Sequence, residues 1–79
     1  MNDKNKYTYE IKEHLGTTST SPKGWSTELN LVSWNDAPAR YELRTWSPDH
    51  KRFGRGIRLN EEDLLILLQI LKDRLGDES

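Results

Sequence analysis

Tyr41-Glu42-Leu43-Arg44-Thr45-Trp46-Ser47-Pro48-Asp49-His50-Lys51-Arg52-Phe53-Gly54-Arg55-Gly56-Ile57-Arg58-Leu59 reads as two strands joined by a turn-rich connection. Tyr41, Leu43 and Thr45 alternate with Glu42, Arg44 and Trp46, the period of two expected of a half-buried strand. Ser47-Pro48-Asp49-His50 breaks that strand, because proline lacks the ladder donor and serine and aspartate favour turns. Gly54-Arg55-Gly56 then leads into a short strand, Ile57-Arg58-Leu59. With Leu43, Ile57 and Leu59 placed on a core, Arg44, Trp46 and Arg58 point the other way. Guanidinium groups pair with phosphates, and an indole gives a base something to stack on.

Upstream, Tyr7, Tyr9, Ile11 and Leu15 occupy odd positions between polar neighbours, which predicts a first strand with a bulge at Gly16. Residues 17–22, rich in threonine and serine and ending in Pro22, predict a loop. Lys23-Gly24-Trp25 opens a second strand running to about Trp34. Trp25, Leu29 and Leu31 share one parity there, and Val32 and Trp34 share the other. Two readings follow. A bulge near residues 30–32 makes Trp34 core; a regular strand puts Trp34 opposite Leu29, as a stacking residue. Asn35-Asp36-Ala37-Pro38 predicts the turn of a hairpin between the second and third strands.

The last element reads as a helix. Asn60 is a good N-cap, Glu61, Glu62 and Asp63 fill the first turn, and Gly76 follows Leu75 as a stop. At 100° per residue, Leu64, Leu67, Leu68, Leu71 and Leu75 form one stripe suited to covering a sheet. Leu65, Ile66 and Ile70 lie outside it. That surplus apolar surface predicts a homodimer.

The 79 residues allow one small domain, and the net charge is −1. The charges are segregated. Residues 40–58 hold Arg40, Arg44, Lys51, Arg52, Arg55 and Arg58 against Glu42 and Asp49, a balance of +4. Residues 60–79 hold six acids against Lys72 and Arg74, a balance of −4. A basic segment in a near-neutral chain predicts an anion-binding face. With no cysteine there is neither a disulfide framework nor a thiolate metal site. No apolar run approaches a membrane span, and residues 1–6 are polar, so the expectation is a soluble cytoplasmic protein. His14 and His50 sit in no ligand motif, no serine or threonine has a nucleophile signature, and Gly54-Arg55-Gly56 lacks the P-loop pattern. Its glycines suit a tight turn or a close approach of backbone to a ligand.

Lys23-Gly24-Trp25, Glu28-Leu29-Asn30, Val32-Ser33, the run Arg44-Thr45-Trp46-Ser47-Pro48-Asp49-His50, and Gly54-Arg55-Gly56-Ile57 together resemble the positive cofactor 4-like transcriptional coactivator family of single-stranded DNA-binding proteins. The match is closest to its small bacterial members. The resemblance implies a homodimer whose curved antiparallel sheets form a channel for single strands. It puts Arg44, Trp46 and Arg55 at or near the family's binding positions, flanked by Arg40, Lys51, Arg52 and Arg58. The turn Asn35-Asp36-Ala37-Pro38 is less basic than in the family's eukaryotic members.

The sequence therefore predicts an α+β chain, β-β-β-β-α, with one curved four-stranded antiparallel sheet and one C-terminal helix. The domain covers residues 7–76, with tails at 1–6 and 77–79. The expected activity is single-stranded DNA or RNA binding with little sequence preference, without catalysis, cofactor or metal, in a nucleoid-associated protein. The binding residues are Lys23, Trp25, Trp34, Arg40, Arg44, Trp46, Lys51, Arg52, Arg55 and Arg58, and the dimer interface is Leu65, Ile66 and Ile70. The alternative is a protein-interaction module that uses the apolar helix and binds no nucleic acid.

Overall fold

The computed structural model describes residues 8–76; Tyr7 and both predicted tails, 1–6 and 77–79, lie outside them. Strands β1 (Tyr9–Thr20), β2 (Ser26–Trp34), β3 (Arg40–Trp46) and β4 (Phe53–Leu59) form one open antiparallel sheet in the order β1-β2-β3-β4, followed by helix α1 (Glu61–Leu75). The β-β-β-β-α order expected from the sequence is what the chain adopts.

Each connection has a local cause. Asn35 and Asp36 both take positive φ, and the Ala37 N–H donates to the Trp34 carbonyl at 2.9 Å. This is the turn whose twist matches a hairpin, built from residues that tolerate the left-handed region. Between β3 and β4, the Ser47 hydroxyl donates to Asp49 Oδ1 at 2.7 Å and accepts from the Arg52 N–H at 3.0 Å. The Lys51 N–H donates to the same Asp49 oxygen at 3.0 Å. Those bonds, the Lys51 backbone bond foremost, hold the Asp49 carboxyl below its ordinary range.

β1 is longer than the sequence suggested, because residues 17–20 pair with β2 instead of looping. Three register shifts interrupt it, between Ile11 and Glu13, His14 and Gly16, and Thr17 and Ser19. Bulges bend a strand and increase its twist, and here they curl the sheet. In a flat sheet β1 and β3 would lie about 10 Å apart. Yet the Tyr9 ring sits 5.3 Å from that of Trp46, and its hydroxyl donates to the His50 carbonyl beyond β3.

The curl encloses an aromatic core. Trp46 is 0% exposed and Trp34 9%, with Val32 buried beside them and Tyr9, Ile11 and Phe53 packed against the cluster. Trp34 and Trp46 are stacked with centroids 6.5 Å apart, and Phe53 meets Trp34 edge-on at 5.0 Å. Two expectations are corrected here. β2 pairs with β3 without a shift, so Trp34 lies opposite Leu29, as the regular-strand reading had it, and is core all the same. Arg44, Trp46 and Arg58 do share one face, but that face is the inner one, and Trp46 does not point outward.

The other face carries the cross-strand rows Leu29–Leu43–Ile57 and Leu31–Tyr41–Leu59. Ile57 is 56% exposed. α1 begins as predicted: the Asn60 side chain accepts from the Asp63 N–H at 2.7 Å, and the Asp63 carboxylate accepts from the Asn60 N–H at 3.0 Å. It ends at Gly76, whose N–H donates to the Lys72 carbonyl. The leucine stripe does not cover the sheet as expected. α1 meets mainly the end of β4, has no buried residue, and leaves its leucines and isoleucines from Leu65 to Leu75 exposed, by 41–76%. No helix among the described residues is long and apolar enough to cross a membrane.

Candidate functional site

A cleft of about 280 Å³ opens on the inner face, lined by Trp34, Asn35, Arg44, Phe53 and Arg58. It continues into a second hollow of about 330 Å³ that adds Val32, Ala37, Pro38 and Arg40. β2 and β3 supply the floor, and β4 supplies the wall with Arg58. The register explains the gathering: Glu42 faces Arg58 across the β3–β4 ladder, and Val32 faces Arg40 across β2–β3.

Beneath the cleft lies Glu42, whose side chain is 1% exposed. Trp34 Nε1 donates to its Oε2 at 2.7 Å. Arg44 grips the same carboxylate with two donors, Nε to Oε1 at 2.8 Å and Nη2 to Oε2 at 3.0 Å, and its Nη1 donates to the Gly54 carbonyl at 2.8 Å. The guanidinium carbon lies 5.0 Å from the Trp34 ring centroid and 5.4 Å from that of Phe53. Gly56 permits this placement: a Cβ there would lie 2.7 Å from the Arg44 guanidinium carbon. Gly54 is equally constrained, since its Cβ would overlap the Thr45 hydroxyl. The close approach at these glycines, expected to be to a ligand, is made to the protein's own side chains. Arg58, with its side chain half exposed, reaches Glu42 Oε2 only at 3.7 Å.

A second buried acid organises the far end of the inner face. Glu28 accepts from the Ser26 hydroxyl at 2.6 Å and from Asn30 Nδ2 at 3.1 Å, and lies 2.9 Å from His50 Nε2. His14 Nδ1 is 2.7 Å from Asn30 Oδ1 and 3.6 Å from Glu28 Oε1. Burial pushes the Glu28 carboxyl up, but the bonds from Ser26, Asn30 and His50 and the nearby His50 charge outweigh it, and the net shift is downward.

The free cations lie around these networks. Among the described residues, Lys23, Arg40, Lys51, Arg52 and Arg55 are exposed and form no ion pair. Arg52 lies over the half-buried Trp25 ring, 5.8 Å from its centroid. No family model matches the sequence. An uncharacterized protein of Treponema pallidum (strain Nichols) is 43% identical over 63 residues, which span 80% of this chain and 74% of that protein. The chain belongs to that protein's family.

Within this fold the ten predicted binding residues fall into four groups. Arg40, Arg58, Trp34 and Arg44 meet at the cleft, where Arg44 is bound to Glu42 and Trp34 is nearly covered. Lys23, Trp25, Lys51 and Arg52 lie in or beside the loops at the opposite end, and Arg55 borders a hollow on the outer face with Leu43, Thr45 and Ile57. Trp46 is enclosed, and its Nε1 has no hydrogen-bond partner among the described residues. Leu65, Ile66 and Ile70, the expected dimer interface, are exposed on α1. Sequence reasoning missed Phe53 as a cleft wall and Glu42 and Glu28 as hubs. A carboxylate alternating with an arginine on one strand, Glu42-Leu43-Arg44, was the available signal.

Proposed function

We propose that the chain binds single-stranded nucleic acid with little sequence preference and performs no chemistry on it. The observation that supports this best is the cleft walled by Phe53 and Trp34, where Arg40 is exposed and unpaired and Arg58 is exposed and held to Glu42 only at 3.7 Å. Phosphates pair with Arg40 and Arg58 at the cleft and with Lys23, Lys51 and Arg52 at the loop end. Bases meet Phe53 and Trp25, which keep partial exposure. The resemblance to the positive cofactor 4-like family points the same way, and a nucleoid-associated location in the cytoplasm goes with this reading.

The working unit is a homodimer built on α1 and the outer sheet face. Burying six leucine or isoleucine side chains yields roughly 9–18 kcal/mol at about 1.5–3 kcal/mol each. That is comparable with the roughly 4–15 kcal/mol lost in freedom on association. A labelled oligothymidine titrated at several salt concentrations tests the binding. Affinity should fall linearly with salt on logarithmic axes, and matched duplex should bind more weakly. Absence of salt-dependent binding, with α1 capturing another protein instead, would favour an interaction module.

A further inference from the structure

We infer that Glu42 is a specificity-determining residue of the first hollow of the cleft, which Arg40 does not line: it cancels the charge of one of the two arginines there, and leaves Arg58 as the one guanidinium open to a phosphodiester. The inference rests on the nucleic-acid reading above and concerns the same site. Glu42 is buried and takes three hydrogen bonds, two of them from Arg44. Arg44 spends Nε and Nη2 on that carboxylate and Nη1 on the Gly54 carbonyl, and its side chain is only 13% exposed. Three of its five N–H donors are committed, and its largely buried guanidinium is held in place as a fixed wall between Trp34 and Phe53.

Arg58 differs in each respect. It is exposed, and its contact with Glu42 is 3.7 Å long, outside hydrogen-bond range. It can therefore leave Glu42 for an anion without stranding a buried charge, because Arg44 and Trp34 keep the carboxylate satisfied. In the first hollow the two arginines and Glu42 sum to one positive charge, and a diester phosphate carries one negative charge, so that hollow is neutralised by one linkage of a strand; Arg40 is left for the neighbouring linkage in the second hollow. Without Glu42 the same hollow would carry two free guanidinium charges and attract polyanions indiscriminately, duplex included.

The test is the salt dependence of oligothymidine binding by the full chain, run beside matched duplex. Glu42→Gln, checked for folding by near-ultraviolet circular dichroism, should steepen the slope of log K against log salt by about 0.7, one added single-strand phosphate contact per site. It should also narrow the gap between single strand and duplex. A purely structural role would lower affinity without steepening the slope. A folded Glu42→Gln protein with an unchanged or shallower slope overturns the inference. If that variant does not fold, Arg58→Gln and Arg44→Lys decide. Arg58→Gln should lower the slope magnitude by about 0.7, and Arg44→Lys should leave it unchanged; equal losses in the two overturn the inference. Wild-type protein without salt-dependent binding would remove the functional reading and this inference together. Wild-type binding with the wrong variant slopes removes the inference alone.

Discussion

On the inner face of the sheet, Glu28, Asn30 and Glu42 are buried beside Trp46 and Val32; on the outer face and along α1, Ile57 and most of the helix leucines and isoleucines stand exposed. The usual sorting by polarity is reversed between these two regions. The reason lies in partners. Each oxygen of the two inner-face carboxylates has at least one donor, so burial leaves neither carboxylate oxygen without a partner. Among the described residues the aliphatic side chains have no facing element, because a single helix reaching only the end of β4 cannot cover a four-stranded sheet. Topology, more than hydrophobicity, has decided what one chain can bury alone.

The comparison breaks most readily at its centre. Trp46→Ala should leave a cavity beneath Tyr9, Trp34 and Phe53 and cost roughly 3–5 kcal/mol, read as a fall in the urea midpoint. A midpoint near wild type, with oligonucleotide binding lost, would mean that the indole serves the ligand and not the core. Arg44→Ala comes next. It removes the bidentate partner of a buried carboxylate, for which the usual loss is about 3–5 kcal/mol. Trp34 and Arg58 remain close to Glu42, so a value near about 3 kcal/mol is expected. Replacing Glu42 and Arg44 together by glutamine and methionine should cost less than Arg44→Ala alone, since no unpaired charge remains. A larger cost for the pair would contradict the account of Glu42 as a satisfied hub.

The fold was legible because its signals are local. Asn60 with Asp63, Gly76, the Asn35-Asp36 turn and the alternation of β3 each act over a few residues, and each appears where expected. The assignment of faces was not legible. Leu43, Ile57 and Leu59 looked like core because they are aliphatic, whereas Glu42 and Arg44 looked like surface because they are charged. Which set is enclosed depends on the direction in which the bulges of β1 curl the sheet, a property of three strands together. The cations of the site could be named from composition. Their division into Arg44, held by Glu42, and Arg58, left open to solvent, could not, because it rests on cross-strand register.

The outer region offers a smaller but cleaner test. Ile66 is 54% exposed and Ile70 55%, so a lysine at either position is tolerated within one chain. Ile66→Lys should cost the dimer about 2 kcal/mol or more, as central interface residues do. The protein should approach the monomer mass in sedimentation equilibrium, with its tryptophan circular dichroism intact. An unchanged mass in a wild-type dimer would move the interface elsewhere, and a lost tryptophan signal would mean that α1 supports the inner core after all.

The smallest expected effect lies in the pH dependence of the inner face. The Glu28 carboxyl sits below its ordinary value of 4.5 when folded: burial raises it, but the bonds from Ser26, Asn30 and His50 and the charge of His50 bring it down. The unfolded chain therefore takes up this proton first as the solution is acidified. The stability that Glu28 contributes is complete above the unfolded value and is lost as pH falls through the folded one. The urea midpoint of the wild type should drop between about pH 5 and pH 3, and Glu28→Gln should start lower at neutral pH and drop less steeply. Asp49 is also held below its ordinary range by Lys51 and Ser47, so part of the acid dependence should survive in that variant. Parallel curves for the two proteins would mean that Glu28 has the same proton affinity folded and unfolded. The inner face would then owe its order to the aromatic cluster alone.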